Sequence, residues 1–173
     1  MSYKYKKDST SKHVFLVCTA FVCFLIASSV LPFVSDAKGL PTPDILLCFV
    51  CILPAFTDIK KAGIYALALG FLSDLFVTLP LNLSPVVYLA CVYIAAKCHT
   101  YFARVGSLAL AISTLPCIVL KLAAGAAVSL LTVDGANMSG FSVSSAVFTM
   151  AGGFAMAIAL SFVMRLIYKK IKI

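Results

Sequence analysis

Apolar residues in this chain come in long, nearly unbroken runs. Six segments stand out, at roughly 13–34, 44–59, 62–80, 84–103, 105–132 and 141–168. Strands of a membrane barrel would alternate polar and apolar positions over about ten residues, and neither Val14 to Leu31 nor Ala146 to Val163 alternates. In hydrocarbon every backbone N–H must find its acceptor within the chain, which leaves helices. The pattern predicts an all-α membrane protein, a single polytopic domain over residues 1–173 with six transmembrane helices and short loops.

The second segment is the odd one. Ile45 to Thr57 covers 13 residues, about 20 Å of helix against a hydrocarbon core of about 30 Å, and Pro54 is expected to kink it. The charged stretch from Asp58 to Lys61 reads as a tight hairpin into segment three. At the N-terminus, Val14 to Leu31 is longer than the 7–15 residues or so of a cleaved signal core, and so reads as a retained first helix. The outer connections carry helix punctuation. Thr42 can cap a helix with Pro43 in its first turn and Asp44 facing the positive dipole end, and Ser84 with Pro85 repeats the arrangement.

Composition removes the alternatives. With 62% apolar and 12% charged residues, against about 45–50% and 25% in soluble domains, and a mean hydropathy of +1.09, lipid must be the main solvent. The net charge of +8 does not signal nucleic acid, because its distribution is topological. Lys4, Lys6, Lys7 and Lys12 precede the first span, Lys60 with Lys61 and Lys97 with Arg104 flank inner turns, and Arg165, Lys169, Lys170 and Lys172 follow the last. Six spans with both termini in the cytoplasm put twelve of the fourteen basic residues inside. The expected location is a bacterial cytoplasmic membrane.

Candidate chemistry is sparse. Seven cysteines all lie in or beside apolar runs, and Cys48-x-x-Cys51 has no second ligand pair nearby, so they read as small buried hydrophobes. His13 and His99 read as interfacial residues at cytoplasmic helix ends. The chain has no Glu and no hydrolase, zinc-protease or phosphate-loop motif, so no enzyme activity, cofactor or metal is expected. Asp74 and Lys121 are the ionisable residues placed deep in spans; Asp74 is expected to face the bundle interior and to contact Lys121 as a buried pair, Asn82 or a backbone group. Small residues recur every fourth position: Ala151, Ala155 and Ala159 on one stripe of the last span, Gly153, Ala157 and Ser161 on the next, Ala66 with Gly70 in span three, and Ala123 with Ala127 in span five. Such stripes serve internal packing or a partner helix equally.

Residues 41–97 resemble the MreD family of bacterial rod-shape proteins. The resemblance rests on Pro43-Asp44 opening a short apolar helix, the basic Lys60-Lys61, and a helix with Gly70 and Asp74-Leu75. A Pro80-Leu81 turn and a following helix with a Tyr, matched by Tyr93, complete it. The chain has Asn82 and Val92 where the family often has Gly. The resemblance implies a non-enzymatic partner of the bitopic protein MreC, helping to couple cell-wall synthases to the MreB filament. It also implies a fold like that of the substrate-binding membrane subunits of energy-coupling-factor vitamin transporters, which is the alternative function. The Ala-x-x-x-Ala contact motif of those subunits is missing from span one, where Ala20 and Ala27 stand seven apart.

Overall fold

A computed structural model describes residues 10–30, 44–76, 83–101, 107–132 and 143–171. Among these residues the protein has six α-helices and no strand. Helix α1 (Thr10–Leu25) runs on into a π-helical turn, Ile26–Val30. Helix α2 is Ile45–Ile52, followed by a 3-10 turn at Leu53–Ala55. Then come α3 (Ile59–Phe76), α4 (Ser84–Tyr101), α5 (Ser107–Thr132) and α6 (Val143–Ile171).

Helix α2 organises the bundle. Its sequence ILLCFVCI is apolar on every side, as a helix must be when no face meets a polar medium, and all eight of its residues are buried. It packs against α1, α3, α4, α5 and α6, while α3 with α4, α4 with α5, and α5 with α6 pack around it. Segment two is therefore not one kinked helix over 44–59. Regular α-helix ends at Ile52, where Pro54, lacking an N–H, is taken into the 3-10 turn instead. The hairpin expected from Asp58 to Lys61 is also shorter than that. Helix α3 begins at Ile59, so Lys60 and Lys61 lie in its first turn.

The helix starts differ from the sequence expectation as well. Asp44, not Thr42, caps α2: its backbone is extended (φ −82°, ψ 92°) and its side chain accepts from the N–H of Leu47. Thr42 and Pro43 lie outside the described residues. At α4 the carbonyl of Leu83 accepts from the N–H of Val87 at 3.0 Å, which puts Pro85 in the first turn.

Two close approaches set the helix spacing. A Cβ added at Gly70 of α3 would sit 2.5 Å from the Cα of Pro85, so only a glycine lets α3 and α4 come this near. On α6, a Cβ at Gly153 would meet Cδ1 of Ile118 at 2.7 Å. Its carbonyl accepts from the thiol of Cys48 at 3.3 Å, so α2, α5 and α6 converge there.

The outer surface is apolar on the five enclosing helices: Phe21 on α1, Leu75 on α3, Val86 on α4, Val119 on α5 and Phe162 on α6 are all exposed. In water such a coat would aggregate; in lipid it is matched to its solvent. Inside, the buried hydroxyl of Thr114 donates to the carbonyl of Ala111 at 2.7 Å and that of Ser161 to Ile158 at 2.9 Å. Among the described residues, the stretch Ala146–Ile167 is long and apolar enough to cross a membrane, and His13–Ser29, Ile45–Ala55 and Ala111–Ala127 are apolar but shorter.

Candidate functional site

Both ends of α2 are met by polar side chains from other helices. At its N-terminus Asp44 Oδ1 accepts from the N–H of Leu47 at 3.0 Å. Its Oδ2 accepts from the hydroxyl of Tyr88 at 3.4 Å and forms an ion pair with Nζ of Lys121. That ammonium also stands 5.3 Å from the centroid of the Tyr88 ring, within cation–π range. Negative charge at a helix N-terminus is favourable, and three helices, α2, α4 and α5, are held by one carboxylate.

At the C-terminal end Nε2 of His99 donates to the carbonyl of Cys51 at 3.2 Å, one of the groups a helix end leaves without an internal partner. A second histidine ties α1 to α3. Lys61 Nζ donates to Nε2 of His13 at 3.2 Å, which assigns the ring proton to Nδ1, and that faces the Tyr65 hydroxyl at 3.2 Å.

The pair expected between Asp74 and Lys121 does not form. Lys121 is held by Asp44, and Oδ2 of Asp74 is buried with no hydrogen-bond partner. The reason is geometric. Because α2 is about 12 Å long and wholly enclosed, its N-cap lies inside the bundle, where a lysine from the middle of α5 can reach it. Gly70 stands at the α3–α4 contact, and Pro80 lies outside the described residues.

The structure also separates stripes that the sequence leaves equivalent. Gly153, Ala157 and Ser161 are buried against the bundle, and Ala66 and Gly70 are buried as well. Ala151, Ala155 and Ala159 are exposed, as are Ala123 and Ala127. The exposed alanines of α6 share one face of the helix with Phe148 and Phe162, which are exposed as well.

Tyr88 is the site residue that the sequence does not single out, and His99, which the sequence gives as an interfacial residue, meets the Cys51 carbonyl at the end of α2. Tyr88 shares one face of α4 with Pro85, Cys91, Val92 and Ala95, all buried, and this facial register was the available signal. Tyr93, which the resemblance singled out, is exposed on another face. His99 carried no comparable signal. The cysteines are free thiols. Cys91 and Cys117 each donate to the other's carbonyl, at 3.8 and 3.5 Å, inside the α4–α5 contact.

A membrane protein whose described residues form six helices, held by partly buried polar contacts at both ends of a short central one, is a class shared by many functions. The family is narrower: the profile of the rod shape-determining protein MreD matches residues 9–171, and the chain belongs to that family. The likeness read at residues 41–97 thus extends over nearly the whole chain. Membership makes this a membrane component of rod-shape determination, in a family associated with the MreC, MreD and MreB system. Neither a curated protein nor a solved structure matches the chain.

Proposed function

We propose that the protein is a non-enzymatic integral membrane scaffold of the cell-elongation machinery. In this reading it crosses the cytoplasmic membrane six times with both termini inside. It holds an MreC-like bitopic protein, and through it couples cell-wall synthases to the MreB cytoskeleton. The observation that carries the reading is the division of labour on α6. The inward stripe of small residues already serves the fold, with Gly153 under Ile118 and Ala157 fully buried. The outward stripe, Ala151, Ala155 and Ala159, has no such use among the described residues and is exposed. Small faces of this kind let a second transmembrane helix approach closely.

Copurification from native membranes tests it. MreC and a synthase are expected to come down with the full-length chain, and Ala155→Leu is expected to weaken that recovery. Recovery of a coupling-factor ATPase instead, or retention of a vitamin-sized solute at submicromolar affinity, would replace the scaffold by the transporter-subunit reading.

A further inference from the structure

Asp74 is left with an unmet demand. Lys121, a basic residue in the middle of a span, is engaged by Asp44. The nearby hydroxyls are occupied too: Ser73 donates to the carbonyl of Gly70 at 2.9 Å, and Tyr88 donates to Asp44. Oδ2 of Asp74 is shielded by the protein yet accepts no hydrogen bond. Along the axis it stands about 22 Å from Ile59, at 1.5 Å per residue, which puts it in the outer third of a hydrocarbon core about 30 Å thick. A carboxyl at that depth is stabilised by a basic or other hydrogen-donating group, and ionisable residues within membranes pair or serve a function.

Beside this carboxyl, α3 turns an apolar stripe outward. Ile64, Ala68, Phe71, Leu72 and Leu75 recur at helical spacing and are all exposed, Leu75 to 77%. On the helix surface Asp74 falls between this stripe and Gly70, the residue pressed against Pro85 of α4. Asp74 is half-buried at the margin of this open apolar face, with Oδ2 on its covered side.

We infer that this face of α3 receives a transmembrane helix of another protein that carries a lysine or arginine at the level of Asp74. The occupant is a helix because lipid-exposed backbone at this depth must satisfy itself. Its charge is set by complementarity to the carboxyl, since charge-assisted hydrogen bonds are the strong ones. The inference rests on the scaffold reading and adds to it a second face and the chemistry of its partner.

The test places a photo-crosslinking residue at position 75, and separately at position 155, in the full-length chain in its native membrane. The expected adduct at 75 maps to a transmembrane helix with a lysine or arginine within one turn of the linked residue. Asp74→Asn is expected to cut its yield, normalised to inserted protein, by about tenfold. Asp74→Glu keeps the yield, and Asp74→Lys recovers it when the partner's basic residue is changed to Asp. An adduct with lipid alone, an adduct with a helix lacking a basic residue, or a yield indifferent to Asp74→Asn overturns the inference. Protein adducts at 155 but none at 75 overturn it while the scaffold reading stands; no protein adduct at either position removes both.

Discussion

Lys121 and Asp44 lie 77 residues apart in sequence and meet as an ion pair within the helix bundle. The pair joins the middle of α5 to the head of α2, and Tyr88 of α4 contributes its hydroxyl and its ring to the same two groups. The lysine keeps 38% of its side-chain surface open and the aspartate 22%, so the contact ranks between a surface pair and a fully enclosed one.

Removing one partner strands the other. Asp44→Asn or Lys121→Met is expected to lower the unfolding free energy by about 1–3 kcal/mol, between the values for exposed and buried pairs. The double variant should lose less than the sum of the singles. Thermal unfolding of the purified protein in a single detergent measures both, and strictly additive losses would show that the two residues act independently.

His99 closes the opposite end of α2. His99→Phe keeps an aromatic ring but removes the donor to Cys51, and should cost about 1 kcal/mol, the typical worth of one hydrogen bond. His99→Gln, with a donor of its own, should recover part of it in the same unfolding assay.

Two glycines give a controlled contrast. Gly70→Ala drives a methyl into the backbone of Pro85 and must push α3 from α4, with an expected loss of about 1–3 kcal/mol. Gly125→Ala, where a Cβ meets nothing within 4 Å, should be neutral or gain up to about 1 kcal/mol from helix propensity. Equal effects in unfolding experiments would contradict the α3–α4 approach.

The two stripes of α6 should respond oppositely. Ala157→Leu, at a position with no exposure, is expected to destabilise the isolated protein. Ala155→Leu, two residues away and exposed, should leave its unfolding temperature unchanged while reducing crosslinking to a partner helix.

Reporter fusions after residues 38, 60, 82 and 134 test the proposed topology. The fusion at 60 should be cytoplasmic and the other three external. Positions 60 and 82 on one side of the membrane would defeat the six-span arrangement.

The helices were legible because the long apolar runs leave lipid no other backbone solution. The polar lock was legible only in part. Lys121 announces itself as a charge in the middle of an apolar run. Asp44 does not, because it sits at the edge of its run and reads as a residue at the membrane surface. Its depth follows from the shortness of α2 and from the five helices around it, which are tertiary facts. The choice of Asp74 as partner failed for that reason: spacing along two helices estimates relative height, but not which neighbour a side chain faces. The stripes of α6 show the same limit. Gly153 and Ala155 are interchangeable as letters, and Ile118 and Cys48, far away in sequence, decide which of them turns inward.

The central position of α2 also bears on how the nascent chain matures. An eight-residue helix cannot cross a bilayer alone, and four of the helices that enclose it, α3, α4, α5 and α6, are translated after it. The middle of the molecule is therefore completed last: Cys48 has no Gly153 carbonyl to meet until the final helix has left the ribosome. Until then α2 needs temporary shelter, from the insertion machinery or from the helix beside it. A product interrupted after α4 would not be a smaller working unit but an unfinished shell, marked for membrane proteases by its own uncovered core.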